Sequence, residues 1–158
     1  MKLLALSLSI ILFIISVVFA EHEDHFPQKA IIYNQEVFKN DFLVLHNQLR
    51  REHDAADLVW DNHLQSSAQN WANNCVFKYS KGSYGENLAT DYKDPSNSFG
   101  LWSEERQHYN FEDPRQSKAV TGHFTQVVWK GSQNLGCGAQ LCERPMFPGQ
   151  VDAVWCVT

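Results

Sequence analysis

Four ionisable side chains stand among neighbours that are neutral or apolar. His46 lies beside the repeat Phe38, Phe42, Leu45, Leu49, and Glu86 sits in the GENL stretch 85–88. Glu105 falls between Trp102 and Tyr109, and His123 opens the run HFTQVVW that ends at Trp129. Imidazoles and carboxylates move protons near neutral pH and, when gathered at one point, hold a divalent cation such as zinc. Taken singly, each has a structural explanation. A histidine on an apolar stripe is satisfied inside a core, and a loop carboxylate caps a turn or is solvated. Spacing does not bring the four together; that falls to the elements that carry them.

Phe38, Phe42, Leu45 and Leu49 recur at helical intervals, which predicts a helix from Asn34 to about His53 with His46 on or beside its buried stripe. A second helix is expected from Asp61 to Val76, capped by Asp61, with Leu64, Ala68, Trp71, Ala72 and Cys75 on one face. Residues 78–90 carry two glycines and read as a loop. A third helix is expected from Ser96 to Asn110, placing Trp102, Glu105 and Tyr109 on a common face, followed by a loop over 111–122 marked by Asp113-Pro114. Strands are expected at His123–Trp129, Gly136–Leu141 and Val151–Val157, with turns at Lys130–Asn134 and Glu143–Gly149. Both alternating sets of the first strand are largely apolar, so helices should cover both faces of the sheet. The expected fold class is α+β, a three-layer α-β-α sandwich with a central antiparallel sheet.

The first twenty residues hold one charge, Lys2, and an apolar run closed by Val18 and Ala20. They read as a secretory signal peptide over 1–20, cleaved after Ala20, with an uncleaved signal anchor as the alternative, and are followed by a loose charged arm over 21–33 and one domain over 34–158. Removing a leader with one lysine and no acid takes the net charge from −5 to −6. That balance argues against nucleic acid as a partner, and no later segment is long and apolar enough to span a membrane once the leader is gone. Four cysteines in the remaining chain, Cys75, Cys137, Cys142 and Cys156, predict two disulfides with three possible connectivities. A four-thiolate zinc site is the rival, but it would want two close pairs, and only Cys137 and Cys142 are close.

Four stretches in order, HNQLR from His46 to Arg50, GENL, Trp102-x-x-Glu105-x-x-x-Tyr109 and GHFTQVVW, resemble the CAP superfamily of cysteine-rich secretory proteins, antigen 5 and pathogenesis-related protein 1, the SCP domain. The resemblance implies an α-β-α sandwich whose cleft is lined by two histidines and two glutamates. Glu86, Glu105 and His123 match three of these, with His123 reaching into the cleft from the mouth of its strand. Tyr79 stands where the second histidine would be, while His46 belongs to the first motif and is structural. Because a phenol is a poor metal ligand at neutral pH, no cofactor is expected, and zinc affinity should be weak or absent with His123 the one weak candidate ligand. The resemblance also implies the disulfides Cys75–Cys142 and Cys137–Cys156. It further implies a secreted, extracellular binding protein for lipid, sterol or a surface molecule, in defence or host contact. The alternative is a peptidase or esterase using Glu86, Glu105 and His123. The chain stops at Thr158, short of the family's usual ending, so either a C-terminally short member or an incomplete gene model is expected. The stretch Pro114-Arg115-Gln116-Ser117, where sterol-binding relatives carry a Pro-Gly-Phe-like loop, is more polar and less suited to a sterol.

Overall fold

The computed structural model describes residues 34–90, 94–117, 120–142 and 152–158, with side chains of the last segment described from Cys156 onward. The expected leader, the arm over 21–33 and the turn at Glu143–Gly149 lie outside the described residues.

Helix α1 spans Gln35–Glu52, and the Asn34 side chain accepts from the N–H groups of Glu36 and Val37 at its start. Phe38, Phe42 and Leu49 are buried as the repeat requires, and so are His46, Asn47 and Arg50. Helix α2 spans Asn62–Ala72 with Asp61 as its N-cap, and ends earlier than expected. Cys75 lies beyond it in the left-handed region, at φ 51°, so its disulfide to Cys142 leaves from a turn rather than a helix. Helix α3 spans Pro95–Ser103 and tightens into a 3-10 turn over Glu104–His108. Trp102 and Glu105 therefore sit on two different kinds of helix. A second 3-10 turn spans Pro114–Gln116.

Two expectations fail on local grounds. Residues 86–90 form a strand, β2 (Glu86–Thr90), within the stretch expected to be a loop. Its hydrogen bonds come from the last strand, 60 and more residues away, and no local periodicity announces them. The stretch expected to be a strand at His123–Trp129 is instead a helix, α4, spanning Gly122–Val127. Phe124 and Val127 are buried three residues apart, on one helical face, but in so short an apolar run the same residues also suit a strand buried on both faces.

The remaining strands are β1 (Val59–Trp60), β3 (Asn134–Leu141) and β4 (Asp152–Val157). The sheet order is β1-β3-β4-β2. β4 is antiparallel to both β3 and β2, whereas β1 runs parallel to β3, so the sheet is mixed rather than wholly antiparallel. The strand period divides the two faces. Leu135, Cys137 and Ala139 pack with Phe38, Phe42, Phe99, Trp102 and Phe124 of α1, α3 and α4. Leu88 and Val157 pack with Leu64, Ala68 and Ala72 of α2 on the other side. On that second face β3 presents Gly136 and Gly138. A Cβ at Gly138 would lie 2.5 Å from Gln69 Cα, so α2 rests backbone-to-backbone on the strand. The close approach lets the Gln69 amide donate to Ala139 O at 2.9 Å and accept from Ala139 N at 3.2 Å. Cys137 pairs with Cys156 across β3 and β4. Both disulfides have the connectivity the resemblance implied.

Candidate functional site

The site is built around α4, which is too short to hold itself together. Thr121, at its N-cap, makes no side-chain capping bond. Glu105 supplies the cap from the 3-10 turn: its Oε2 accepts from the His123 N–H at 2.9 Å and the Phe124 N–H at 3.1 Å. At the other end the buried Arg50 guanidinium donates to Val127 O at 2.8 Å and Trp129 O at 2.9 Å. It also reaches Ala56 O at 2.7 Å and Ser132 O at 3.0 Å. An acid at the N-terminus and a base at the C-terminus, both borrowed from other elements, turn this apolar stretch into a helix. The carboxylate among aromatics is thus a remote cap, and the arginine of the first motif is its counterpart.

His123 stands on the first turn of α4, not at the mouth of a strand. Its Nδ1 lies 2.7 Å from Glu105 Oε1, its side chain is 25 % exposed, and the buried Trp102 ring stacks on it at 6.4 Å. With Nδ1–H donating to the carboxylate, Nε2 is left as an acceptor toward the Tyr79 hydroxyl, a long contact of 3.4 Å. The Tyr79 phenol titrates above its ordinary value because of partial burial and then the charges of Glu105 and Glu86, so it remains a neutral donor at physiological pH. Tyr79, His123 and Glu105 therefore form one hydrogen-bonded row. Glu86 is set apart from it, since its carboxylate accepts from Ser80 N at 2.7 Å and from the Ser80 hydroxyl. It acts on the row through its charge on Tyr79 and fixes the loop that carries that residue.

His46 is buried behind this row. Its Nδ1–H donates to Phe42 O at 2.8 Å, and its ring packs against Phe99 and Trp102. Burial, aided by the nearby Arg50, holds its pKa down at about 4, the Phe42 hydrogen bond opposing only in part. It is a neutral core residue, as expected. Gln126 ties α4 to the sheet end. Its amide lies where a Cβ on Gly85 would be, 2.2 Å from Nε2, and donates to Thr158 Oγ1 at 2.8 Å. Among the described residues no three His, Cys, Asp or Glu side chains are gathered so as to hold a metal ion.

Two grooves flank α4, and none of Tyr79, Glu86, Glu105 or His123 lines either one. One, of about 760 Å³, is lined by Tyr109, Phe111, Phe124, Val128 and Trp129, with His53 packed on Phe111 and Phe124 and the charged Glu52, Asp54 and Lys130 also lining it. The other, of about 590 Å³, is more polar and lies by Tyr84, Gln133 and Asn134 on the far side of Trp129. Trp129 was expected at the end of a buried strand, yet it is 61 % exposed and borders both grooves. Its role follows from α4 ending at Val127, which the residue pattern does not reveal.

A short capped helix laid across an α-β-α sandwich, with a glutamate-bound histidine on its first turn, defines the class of domain. Residues 43–157 match the family model for CAP, the cysteine-rich secretory protein family, and the chain belongs to that family. It is 39 % identical over 110 residues to fruiting body protein SC14 of Schizophyllum commune, a match covering 65 % of this chain and 49 % of that protein. It is 38 % identical over 112 residues to pathogenesis-related protein 1 of Arabidopsis thaliana, covering 67 % and 69 % of the two chains. The match thus spans about half the length of the fungal relative. Among solved structures, venom allergen-like protein 4 of Schistosoma mansoni superposes with a TM-score of 0.63 at 21 % identity, covering 76 % of this chain and 86 % of that one, a likeness of fold. No helix among the described residues is long and apolar enough to cross a membrane.

Proposed function

We propose that the protein is a secreted binding module that holds a lipid-like apolar ligand in the groove beside α4, and that it is not a hydrolase. The observation that carries this is the groove's lining: Phe111, 58 % exposed, packs edge-to-face with the partly buried Tyr109 and the buried Phe124 at 4.9–6.2 Å, so an aromatic ring anchored in the core is held open to solvent. Apolar area of that kind, in a groove also lined by the charged Lys130, Glu52 and Asp54, suits an amphipathic molecule whose polar end stays wet. The polar 3-10 turn at Pro114–Gln116 offers nothing further to a sterol, so an acyl chain is the better fit. Secretion is supported by the apolar leader and two disulfides, and the likeness to pathogenesis-related protein 1 supports a role in defence or host contact.

The hydrolase alternative gains no support from the geometry. His123 Nε2 faces a phenol rather than a serine, and the Ser80 hydroxyl is committed to Glu86. A zinc ion fits poorly as well, because the row offers one imidazole already hydrogen-bonded on both nitrogens. The test is titration of a fluorescent fatty acid into the wild type and Phe111→Ser. Phe111 is 58 % exposed, so the change should leave folding intact. Affinity should fall about tenfold or more as apolar contact is lost. No binding to the wild type, or equal binding to both, refutes the reading.

A further inference from the structure

We propose that the second groove, between Tyr84, Trp129 and the start of β3, binds a neutral oligosaccharide. The proposal is independent of the aromatic groove and of any lipid bound there. Two amphipathic rings are exposed here, Trp129 at 61 % and Tyr84 at 46 %. Exposed indole and phenol faces match the apolar C–H faces of a pyranose, while their N–H and O–H groups remain available as polar handles.

The second observation is which polar groups of the groove are already used. Asp61 caps α2 through His63 N and Leu64 N, Gln126 donates to Thr158, and the Ser132 hydroxyl donates to Thr158 as well. By contrast, the side chains of His63, Tyr84, Gln133 and Asn134 and the indole N–H of Trp129 line the same groove with no hydrogen bond among the described residues. Five uncommitted donors and acceptors around two ring faces form a lining for a ligand dense in hydroxyl groups. Planar amides such as those of Gln133 and Asn134 can each donate and accept at neighbouring hydroxyls. Among the described residues no lysine or arginine lines the groove, so an anionic ligand has no fixed counter-charge there. At about 590 Å³ the groove falls within the usual range for small-ligand sites.

The test uses the full-length secreted protein and three soluble probes, cellohexaose, laminarihexaose and chitohexaose, each followed by calorimetry and tryptophan fluorescence. At least one should bind with a Kd of about 0.1–1 mM, as expected of a shallow wet groove. Trp129 borders both grooves, so the diagnostic variants are Tyr84→Ala and Asn134→Ala, which touch only this one. Each should weaken binding at least about tenfold with an unchanged unfolding midpoint. Two results overturn the proposal: no heat and no fluorescence change with any probe up to about 10 mM, or affinity that survives both substitutions combined.

Discussion

Replacing His46 with glutamine should remove a defined part of the protein's acid sensitivity. The folded-state pKa of about 4 lies below the ordinary 6.5, because protonation would place a cation among Phe99, Trp102 and Arg50 in a dry core. Between those two values the unfolded chain binds more protons than the native one, so stability falls as pH falls. The contribution is complete above 6.5 and gone below about 4. From the two pKa values, about 2 kcal/mol has been lost at about pH 5 relative to neutral pH. His46→Gln keeps a donor for Phe42 O but has no proton to take up, so it carries a constant penalty without that slope. Urea unfolding of both proteins at neutral pH and at about pH 5, disulfides intact, separates the two effects. Carboxylates titrate alike in each and cancel in the comparison. The wild-type midpoint should move by an extra amount on the order of 1 M urea. Parallel acid losses in the two proteins would refute the idea that His46 is buried and neutral.

Arg50→Lys keeps the charge but loses the planar fork that reaches four carbonyls on three segments, so it should cost about 3 kcal/mol or more and lower the melting temperature by on the order of 10 °C; a cost below about 1 kcal/mol would show that α4 does not depend on this staple. Gly138→Ala should cost about 2 kcal/mol or more, since the new methyl meets the backbone of α2 at 2.5 Å, whereas Gly100→Ala, with open space around it, should be neutral or stabilising. Comparing their unfolding midpoints checks the packing of α2 on β3, and equal effects would contradict it. Tyr79→His should acquire a Zn2+-dependent rise in melting temperature that the wild type lacks; a strong wild-type rise that His123→Ala abolishes would reverse the assignment of this row as metal-poor.

Periodicity and caps carry the long elements on their own. Asn34 and Asp61 cap α1 and α2, and the stripe of Phe38, Phe42 and Leu49 faces the core. These features act within a few residues, which is the range over which local sequence is decisive. The candidate site residues were legible as types out of place. Tertiary structure decided what they do. Glu105 looked like a member of an acid-base set and proves to be the N-cap of a helix beginning 17 positions downstream. Glu86, expected in a loop, begins a strand only because β4 returns to pair with it. The run from His123 becomes helical because charges from α1 and the 3-10 turn satisfy its two ends. Short apolar stretches carry no period strong enough to choose their own conformation, so partners distant in sequence make the choice for them.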